Sequence, residues 1–156
     1  MSALAYWSPV FENLDYLPNM VFPFVKVFLG DTFSGFEAVI TVIVNWCQKW
    51  WEYYPNPPLE CLDVLEDILA YHDKDLLDHL IRFKATSQVY GWLMIQNMFS
   101  EVLMAKDWMT VWDHFLMKDP SFMYNFAVAY LIYFRRSIMA ISKAEDFKVR
   151  LENTCV

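Results

Sequence analysis

Glycine is scarce in this sequence, with three residues in 156. Tight turns between β-strands depend on glycine, so sheets built from hairpins are disfavoured. The chain is rich in apolar bulk instead, because hydrophobic residues make up 57% and aromatic residues 19% of it. Ordinary globular proteins contain less of both. The composition predicts an all-α fold with large side chains packed between the helices, and the apolar spacing described below predicts a bundle of about seven to nine helices.

Cationic side chains are in the minority, with 12 Lys and Arg against 19 Asp and Glu and a formal net charge of −7. This balance argues against a nucleic-acid partner, because binding to a phosphate backbone needs clustered cations. Cysteine is also scarce: Cys47, Cys61 and Cys155 lie far apart and form no Cys-x-x-Cys pair. Neither a disulfide framework nor a zinc knuckle is indicated, and a reducing cytoplasm fits this usage best.

Long apolar runs and cofactor signatures are missing as well. The longest apolar runs are Ala38–Val44 and Phe126–Phe134, well short of the about 20 residues that span a bilayer. The sequence holds no Gly-rich phosphate loop, no Gly-x-Ser-x-Gly and no His-Glu-x-x-His. We therefore expect no membrane span, no cofactor and no bound metal. No signal peptide opens the chain, and its abrupt apolar start, "MSALAYWSP", leads us to expect a domain cut short.

Apolar residues recur at helical spacing along most of the chain. One helix is predicted from Leu17 to Leu29, with Gly30 as a left-handed cap. A long helix is predicted over residues 31–54, where the proline-rich stretch 55–58 ends it. Further helices are predicted from the stripe of Leu59, Leu62, Leu65, Ile68 and Leu69; from Asp73 as N-cap with Leu76, Leu77, Leu80 and Ile81; from Thr86 and Ser87; over 105–116; over 119–141 as the central buried helix; and over the polar residues 143–154.

Two polar clusters contain residue types that do chemistry. In the first, imidazoles and carboxylates suit several divalent ions, but its histidines are separated by a helix start, where acidic side chains favour the helix dipole. In the second, Asp113 and His114 could pair as an orienting carboxylate and a base, yet no nucleophile is near them in sequence. We favour structural roles for both clusters and for the two arginines after the long apolar segment. The residues concerned are His72, Asp73, Asp75, Asp78 and His79; Asp113, beside Trp112, and His114; and Arg135 and Arg136.

The order of motifs over residues 72–136 resembles the C-terminal lobe of the TBC domain, the fold of Rab GTPase activators. That family shows a His-Asp/Glu start with an LxxHL helix, a Gln-Leu-Tyr step, an LFSxE turn, a WDxxF helix and a closing apolar helix that ends in Arg. The matching residues here are His72, Leu80, Gln88, Tyr90, Phe99, Ser100, Glu101, Trp112, Asp113, Phe115 and Arg135. The resemblance implies one TBC-like domain over residues 1–156, with its N-terminal lobe absent.

Taken as a whole, the chain is most similar to a divergent TBC branch whose members carry WD40 repeats and a long coiled coil and localise to centriolar satellites. The resemblance implies a centrosomal or ciliary setting in the cytoplasm. Members of that branch are much longer than 156 residues. We therefore expect this chain to be a fragment or a reduced relative.

TBC activators use an arginine, which neutralises charge on the transferred phosphoryl group, and a glutamine, which orients the attacking water. The family's arginine motif lies upstream of the segment that residue 1 matches. Its glutamine belongs to a loop between two prolines, and aligning these with Pro9 and Pro23 places Asp15 at the glutamine. Asn13 then takes the place of a tyrosine and Tyr16 that of a glycine. A carboxylate lacks the amide donors of glutamine and adds negative charge beside phosphates, so the resemblance implies a silent loop.

Three hypotheses follow. The first is a catalytically silent TBC module, not an enzyme, that serves as a protein-interaction scaffold. The second is an active Rab GTPase activator in which Asp15 acts as the base for water. The third is an unrelated helical bundle, which the ordered motifs disfavour. The partners implied are a Rab-type small GTPase, centrosomal or ciliary proteins, and the missing N-terminal lobe or another helical partner that covers the apolar "ALAYW" segment.

Overall fold

Helices make up the regular structure of this protein, for which a computed structural model describes residues 2–47, 50–142 and 146. Within these ranges there is no strand, and the all-α prediction is confirmed. Two 3-10 helices, Pro9–Glu12 and Trp50–Tyr53, and a π-helical stretch, Gln88–Trp92, accompany the α-helices. The α-helices are α1 (Ser2–Trp7), α2 (Leu17–Val27), α3 (Thr32–Trp46), α4 (Leu59–His72), α5 (Lys74–Arg82), α6 (Leu93–Gln96), α7 (Ala105–Leu116), α8 (Phe122–Tyr133) and α9 (Arg135–Met139).

The helices are arranged in two compact units. The first unit comprises Met1–Pro58 and Gln96–Met98, and the second comprises Leu59–Ile95 and Phe99–Val156. In the first, α2 packs on α3, and α1 packs on the 3-10 helix at residues 9–12. In the second, α4 packs on α8, on α5 and on the π-helical stretch, while α9 contacts α5 and α8. None of the helices in the described ranges has both the length and the apolarity needed to cross a bilayer.

The first unit is built on the paired helices α2 and α3. Asp31 caps α3: the backbone N–H groups of Phe33 and Ser34 donate to its Oδ1 at 3.2 and 3.1 Å, and the Ser34 hydroxyl donates to Oδ2 at 2.6 Å. The bonds from Ser34 lower the pKa of this carboxyl, because they favour its charged form. Buried side chains recur every three or four positions along both helices, as expected for facing apolar stripes: Leu17, Met20, Val21 and Phe24, and Val39, Val42 and Ile43.

The second unit is organised around the contact between α4 and α8. Leu65 and Leu69 of α4 and Leu131 of α8 are each 0% exposed. Full burial of one such side chain stabilises a fold by about 1.5–3 kcal/mol. Gly91 allows the π-helical stretch to approach α4 closely, since a Cβ atom at this position would lie 3.0 Å from both methyl carbons of Leu65. A side chain at this position would force Leu65 to shift by a few tenths of an ångström.

Two predicted helix ends are wrong. The helix from Leu17 ends at Val27 instead of Leu29, and Gly30 does not have positive φ. The helix predicted over 31–54 ends at Trp46, and a separate 3-10 helix follows at Trp50–Tyr53. The helix predicted over 143–154 lies outside the described residues, apart from residue 146. The spacing of apolar residues therefore did not predict where the backbone hydrogen bonds of these helices end.

The left-handed cap predicted at Gly30, after α2, is absent. A left-handed residue that was not predicted, Lys84, ends a different helix, α5. Lys84 has a φ of 58° just after α5. The N–H of Ala85 donates to the carbonyl of Leu80 at 2.9 Å, and the N–H of Lys84 donates to that of Ile81 at 3.0 Å. These two bonds are those of the Schellman motif, which satisfies the last carbonyls of a helix. Since lysine has no special preference for this conformation, sequence reasoning passed it over.

Most predicted apolar stripes are buried, but single members are not. Phe36, Leu59 and Ile81 are 39%, 59% and 61% exposed. Each lies at the margin of an otherwise buried helical face. The segment predicted as a buried central helix, 119–141, is two helices, α8 and α9, and Tyr133 on α8 is 82% exposed. A helix that is apolar all round in sequence is therefore still one-sided in the fold.

Candidate functional site

The loop Asn13–Tyr16 joins the 3-10 helix at residues 9–12 to α2. Buried and exposed side chains alternate along it: Leu14 and Leu17 are buried, while Asn13 and Asp15 are exposed. The N–H of Leu17 donates to the Leu14 carbonyl at 3.1 Å, which closes the turn. The two apolar side chains anchor the loop and the polar ones face solvent. The predicted site residues thus share one short, well-anchored turn.

Prolines shape the chain on both sides of this loop. Pro9 begins the 3-10 helix, and Pro18 lies in the first turn of α2, where a missing N–H leaves no bond unmade. Pro23 is buried inside α2. An internal proline removes one backbone hydrogen bond from a helix. The two prolines used to align the loop, Pro9 and Pro23, thus lie in the helices on either side of it.

Asp15 has a specific partner that the sequence did not reveal. The hydroxyl of Tyr54 donates to Asp15 Oδ2 at 2.9 Å. This hydrogen bond and, to a smaller extent, burial and the charge of Asp15 raise the pKa of Tyr54, because all three disfavour the phenolate. The carboxylate at the predicted glutamine position is therefore engaged on one oxygen by a phenol 39 residues away in sequence.

Tyr16 faces inward and is only partly exposed. Burial raises the pKa of this phenol, and nearby Cys47 and Tyr54 act in the same direction. Cys47 is 1% exposed, and its Sγ lies 3.9 Å from the sulfur of Met20. Tyr16 is thus a neutral packing residue, and the register that matches it to a glycine of the family pattern stays a prediction.

An aromatic row lies beside the loop. The ring of Trp7 stacks on that of Phe11, with centroids 5.6 Å apart and planes 9° apart. Phe11 in turn meets the edge of Trp51 at 5.5 Å, which joins the two 3-10 helices of the first unit. Phe11 is 5% exposed, whereas Trp7 is 51% exposed. Sequence reasoning treated Trp51 and Tyr54 only as the end of a long helix and missed both.

An apolar cavity of about 270 Å³ opens elsewhere in the first unit, between α1, α2 and α3. Its lining includes Val21, Val25, Leu29 and Val39, and Thr32 supplies its one hydroxyl. No titratable side chain lines it. The cavity is therefore a packing feature with no group that could act as an acid, a base or a nucleophile.

Two members of the His/Asp cluster at residues 72–79, Asp73 and His79, make structural contacts. Asp73 caps α5, since the N–H of Leu76 donates to its Oδ1 at 3.0 Å. Its Oδ2 accepts from Nε of Arg135 at 2.6 Å, which ties α9 to the start of α5. Nε2 of His79 lies 3.0 Å from the carbonyl oxygen of Ile141. In the part of the chain that the structure describes, no three His, Cys, Asp or Glu side chains are placed to hold a metal ion.

The remaining residues of interest also lie apart from the loop in sequence. Asp113 and His114 are both exposed on α7. Arg135, for which a structural role was predicted, pairs with Asp73, the N-cap of another helix, and this pairing raises the pKa of its guanidinium. The structure thus assigns a capping role to Asp73 and a pairing role to Arg135, while the structural role favoured for Asp113 and His114 stays a prediction.

These elements define a class of protein. Residues 3–139 match the Rab-GTPase-TBC domain, and because this match covers most of the chain, the chain belongs to that family. The predicted family is confirmed. The register that places Asp15 at the glutamine position stays a prediction.

The chain is also similar to individual proteins with TBC domains. The chain is 45% identical to TBC1 domain family member 31 of Xenopus tropicalis over 148 residues, which are 95% of this chain and 14% of that protein. It is 43% identical to the Homo sapiens protein of the same name, with the same coverage. It is 31% identical over 94 residues, 58% of the chain, to the TBC domain-containing protein kinase-like protein of Dictyostelium discoideum, of which it covers 9%. No solved structure matches the chain.

Proposed function

We propose that this chain is a TBC module that does not accelerate GTP hydrolysis and serves instead as a protein-interaction scaffold. The observation that supports this most directly is the exposed carboxylate of Asp15, which is hydrogen-bonded by the Tyr54 hydroxyl at 2.9 Å. Family membership alone leaves the question open, because one fold hosts active and inactive members.

The chemistry of the loop favours this proposal. A glutamine orients the attacking water with one acceptor and two donors, while an ionised aspartate offers acceptors only. One oxygen of Asp15 is already taken by Tyr54. A negative charge also opposes the negative charge that develops on the transferred phosphoryl group. In this register the loop therefore works against the transition state.

The alternative is a Rab GTPase activator that stimulates GTP hydrolysis. Membership of the Rab-GTPase-TBC family favours it. In that case Asp15 would hold the water as a base, which is compatible with its exposed position. A Rab-type small GTPase is the partner in this version.

The setting that we propose is centrosomal or ciliary, in centriolar satellites of the cytoplasm. Its support is the resemblance to the TBC branch that carries WD40 repeats and a coiled coil. Centrosomal or ciliary proteins are then the partners of the scaffold. The abundance of exposed apolar side chains in the first unit, among them Tyr6 at 94% and Phe33 at 84%, fits an interaction role.

Single-turnover GTP hydrolysis separates the two functions. A panel of GTP-loaded Rab proteins is mixed with the natural chain, with Asp15→Gln and with the matched control Glu12→Gln, which changes an exposed acid of the adjacent 3-10 helix. We expect the natural chain and the control to leave hydrolysis at the intrinsic rate. Acceleration by the natural chain would overturn the silent-module proposal.

Acceleration confined to Asp15→Gln would identify residue 15 as the reason why the natural chain does not accelerate hydrolysis.

The scaffold role has its own test, affinity capture with the natural chain from ciliated cells followed by mass spectrometry. We expect centriolar or ciliary proteins to be enriched over a Rab background. Recovery of Rab GTPases alone would contradict the scaffold role.

A further inference from the structure

Three helices of the first unit present an apolar surface around the cavity described above. Val25, Leu29 and Phe36 line this cavity and are between 39% and 70% exposed, so they form its rim. Each helix also carries an exposed aromatic ring three positions from a residue of the cavity wall, and side chains at that spacing share a helix face. These rings are Tyr6 on α1, Phe22 on α2 and Phe33 on α3, next to the wall residues Ala3, Val25 and Phe36 respectively. We name this surface the cavity face and define it as Tyr6, Phe22, Val25, Leu29, Phe33 and Phe36.

The cavity at the centre of this face has room for an incoming ring. Its volume is about 270 Å³. An apolar cavity of about 150 Å³ inside a protein is large enough to bind benzene. Because the walls are apolar apart from the Thr32 hydroxyl, they favour an occupant without charge.

The same face carries a ring that fits this cavity. Phe33 is 84% exposed and has no polar side-chain atom, so its burial leaves no hydrogen bond unmade. Tyr6 is more exposed, but its hydroxyl would need a partner inside an apolar cavity. A surface that has both a recess and a matching projection is complementary to itself. A two-fold dimer requires such a surface, because both copies use the same patch.

Charge opposes the approach of a second copy only weakly at this face. The whole chain has a formal net charge of −7, so two copies repel one another on average. Helix α1 contains no charged residue, α2 contains only Lys26, and α3 contains only Glu37 and is capped by Asp31. The Lys26 ammonium lies 5.5 Å from the ring of Phe22, and its flexible stem allows it to stay in water at the edge of an interface. One cation therefore offsets one of the two anions that these helices bring.

The size of the face is close to what a dimer needs. A buried aromatic side chain contributes about 200 Å² and a valine or leucine somewhat less, so covering the exposed parts of the six side chains would bury about 700 Å² per copy. Specific interfaces bury about 800 Å² per partner. The cavity face alone thus approaches the size of a standard interface.

We propose that the cavity face joins two copies of this chain in a two-fold dimer, with Phe33 of each copy inserted into the cavity of the other. This inference goes beyond the proposed function, and its test involves no GTPase. A dimeric chain that accelerates GTP hydrolysis would overturn only the silent-module proposal. A monomeric chain that leaves hydrolysis at the intrinsic rate would overturn only the dimer.

Sedimentation velocity of the whole chain, from about 1 µM to about 100 µM, tests the association itself. We expect the sedimentation coefficient to rise with concentration and to level off at the value of a dimer. A monomer at every concentration would overturn the proposal and leave the face to another polypeptide. A coefficient that keeps rising would also overturn it, because a two-fold interface closes after two copies.

Two variants remove the two halves of the contact. Phe33→Ala removes the inserted ring, and Val25→Phe fills the cavity from its own wall. Each should weaken dimerisation about tenfold or more, as is typical when a central aromatic anchor is lost from an interface. Tyr133→Ala, which truncates an 82% exposed ring of α8, is the matched control and should leave dimerisation unchanged. Tighter association of Val25→Phe would indicate a merely adhesive apolar surface and overturn the proposal.

A mixture of the two variants tests the inserted ring directly. Phe33→Ala has an open cavity but no ring to insert, and Val25→Phe has the ring but no open cavity. Neither variant can form the contact with itself, while one copy of each can form it once. We expect the mixture to dimerise about three- to tenfold more tightly than either variant alone. A mixture that associates no more tightly than its components would overturn the proposal.

The fold of both variants is checked by circular dichroism. Phe33 and Val25 are 84% and 49% exposed, so neither substitution should change the free energy of unfolding by more than about 1 kcal/mol. The mixture also serves as a control for folding, because a misfolded variant could not restore association to the other.

Discussion

Two regions of the molecule differ in how well they match the family's sequence motifs. They are the loop at residues 13–16 of the first unit and the aromatic cluster of the second unit, which comprises Phe99, Trp112 and Phe115. In the second unit, the matching residues Phe99, Trp112 and Phe115 are at most 3% exposed and pack ring against ring. In the loop, Asp15 is exposed, and in the predicted register it departs from the family's glutamine. The resemblance therefore rests on residues that fold the chain. In the predicted register the departure concerns the residue that would orient the attacking water, so we expect family membership and activity to depend on different side chains.

The strongest way to test this contrast is Phe115→Ala. Phe115 is 0% exposed and contacts the rings of four other aromatics, Phe99, Trp112, Phe122 and Phe126. Truncation should lower the free energy of unfolding by about 3–5 kcal/mol, because a buried ring is replaced by a cavity. Chemical denaturation followed by circular dichroism measures the loss.

The matched controls for this prediction are Tyr133→Ala, an 82% exposed ring of α8, and Asp15→Ala in the loop. Substitutions of exposed side chains usually change stability by about 0.5 kcal/mol or less. If Asp15→Ala destabilised the chain as much as Phe115→Ala, the exposed loop would be as important for stability as the buried aromatic cluster, and the contrast drawn here would be wrong.

A smaller effect is expected at Asp73, where two interactions of the second unit meet. Asp73→Ala removes the N-cap of α5 and the ion pair with Arg135, and should cost about 1–2 kcal/mol of stability. Asp73→Asn keeps a capping oxygen but loses the charge, so its loss should be clearly smaller. Thermal unfolding of both variants, alone and combined with Arg135→Gln, gives the coupling as a double-mutant cycle. Equal losses for Ala and Asn would assign the whole effect to charge.

The smallest effect concerns the loop itself. Asp15→Ala should bring the pKa of Tyr54 down toward its ordinary value of 10.0, because the hydrogen bond and the charge that raise it are both removed. Asp15→Asn should give an intermediate shift, and Glu12→Gln none. NMR titration of the Tyr54 ring carbon follows the change at one residue. A Tyr54 pKa that is unaltered in Asp15→Ala would refute the contact.

The same pKa shift sets the sign of a pH dependence. Since the folded-state pKa of Tyr54 lies above its unfolded value, the contact stabilises the chain fully below pH 10.0, and this contribution is lost as pH rises through the raised folded value. For Asp31 the sign is opposite, because its pKa is lowered by Ser34. That contribution is present above the ordinary value of 3.8 and is lost as pH falls through the lowered folded value.

Much of the fold was predictable because helices repeat locally. The spacing of Leu62, Leu65 and Leu69 predicted their burial, and Asp73 was recognised as an N-cap from its place before an apolar stripe. The helix ends were less predictable. The turn after α5 uses Lys84 with positive φ, and α3 stops at Trp46 without a glycine or proline at that point. Such ends depend on backbone bonds that residue type indicates only weakly.

Only part of the candidate site could be predicted from the sequence. The loop and its residues Asn13, Asp15 and Tyr16 were located by aligning Pro9 and Pro23 with two prolines of the family pattern. The partner of Asp15 could not be predicted, because nothing within "WWEYYPNPP" distinguishes Tyr54 from the neighbouring Tyr53. Nor could the contact between Phe11 and Trp51, because these two residues are far apart in sequence.

By itself, the sequence determined the all-α class, the family and which residues of most helices face inward, because side chains three and four positions apart share a helix face whatever the rest of the chain does. Only the tertiary structure decided that Tyr54 holds Asp15 and that Arg135 holds Asp73, across 39 and 62 residues. Contacts at such separations depend on how whole helices pack, and the local pattern contains no record of that packing.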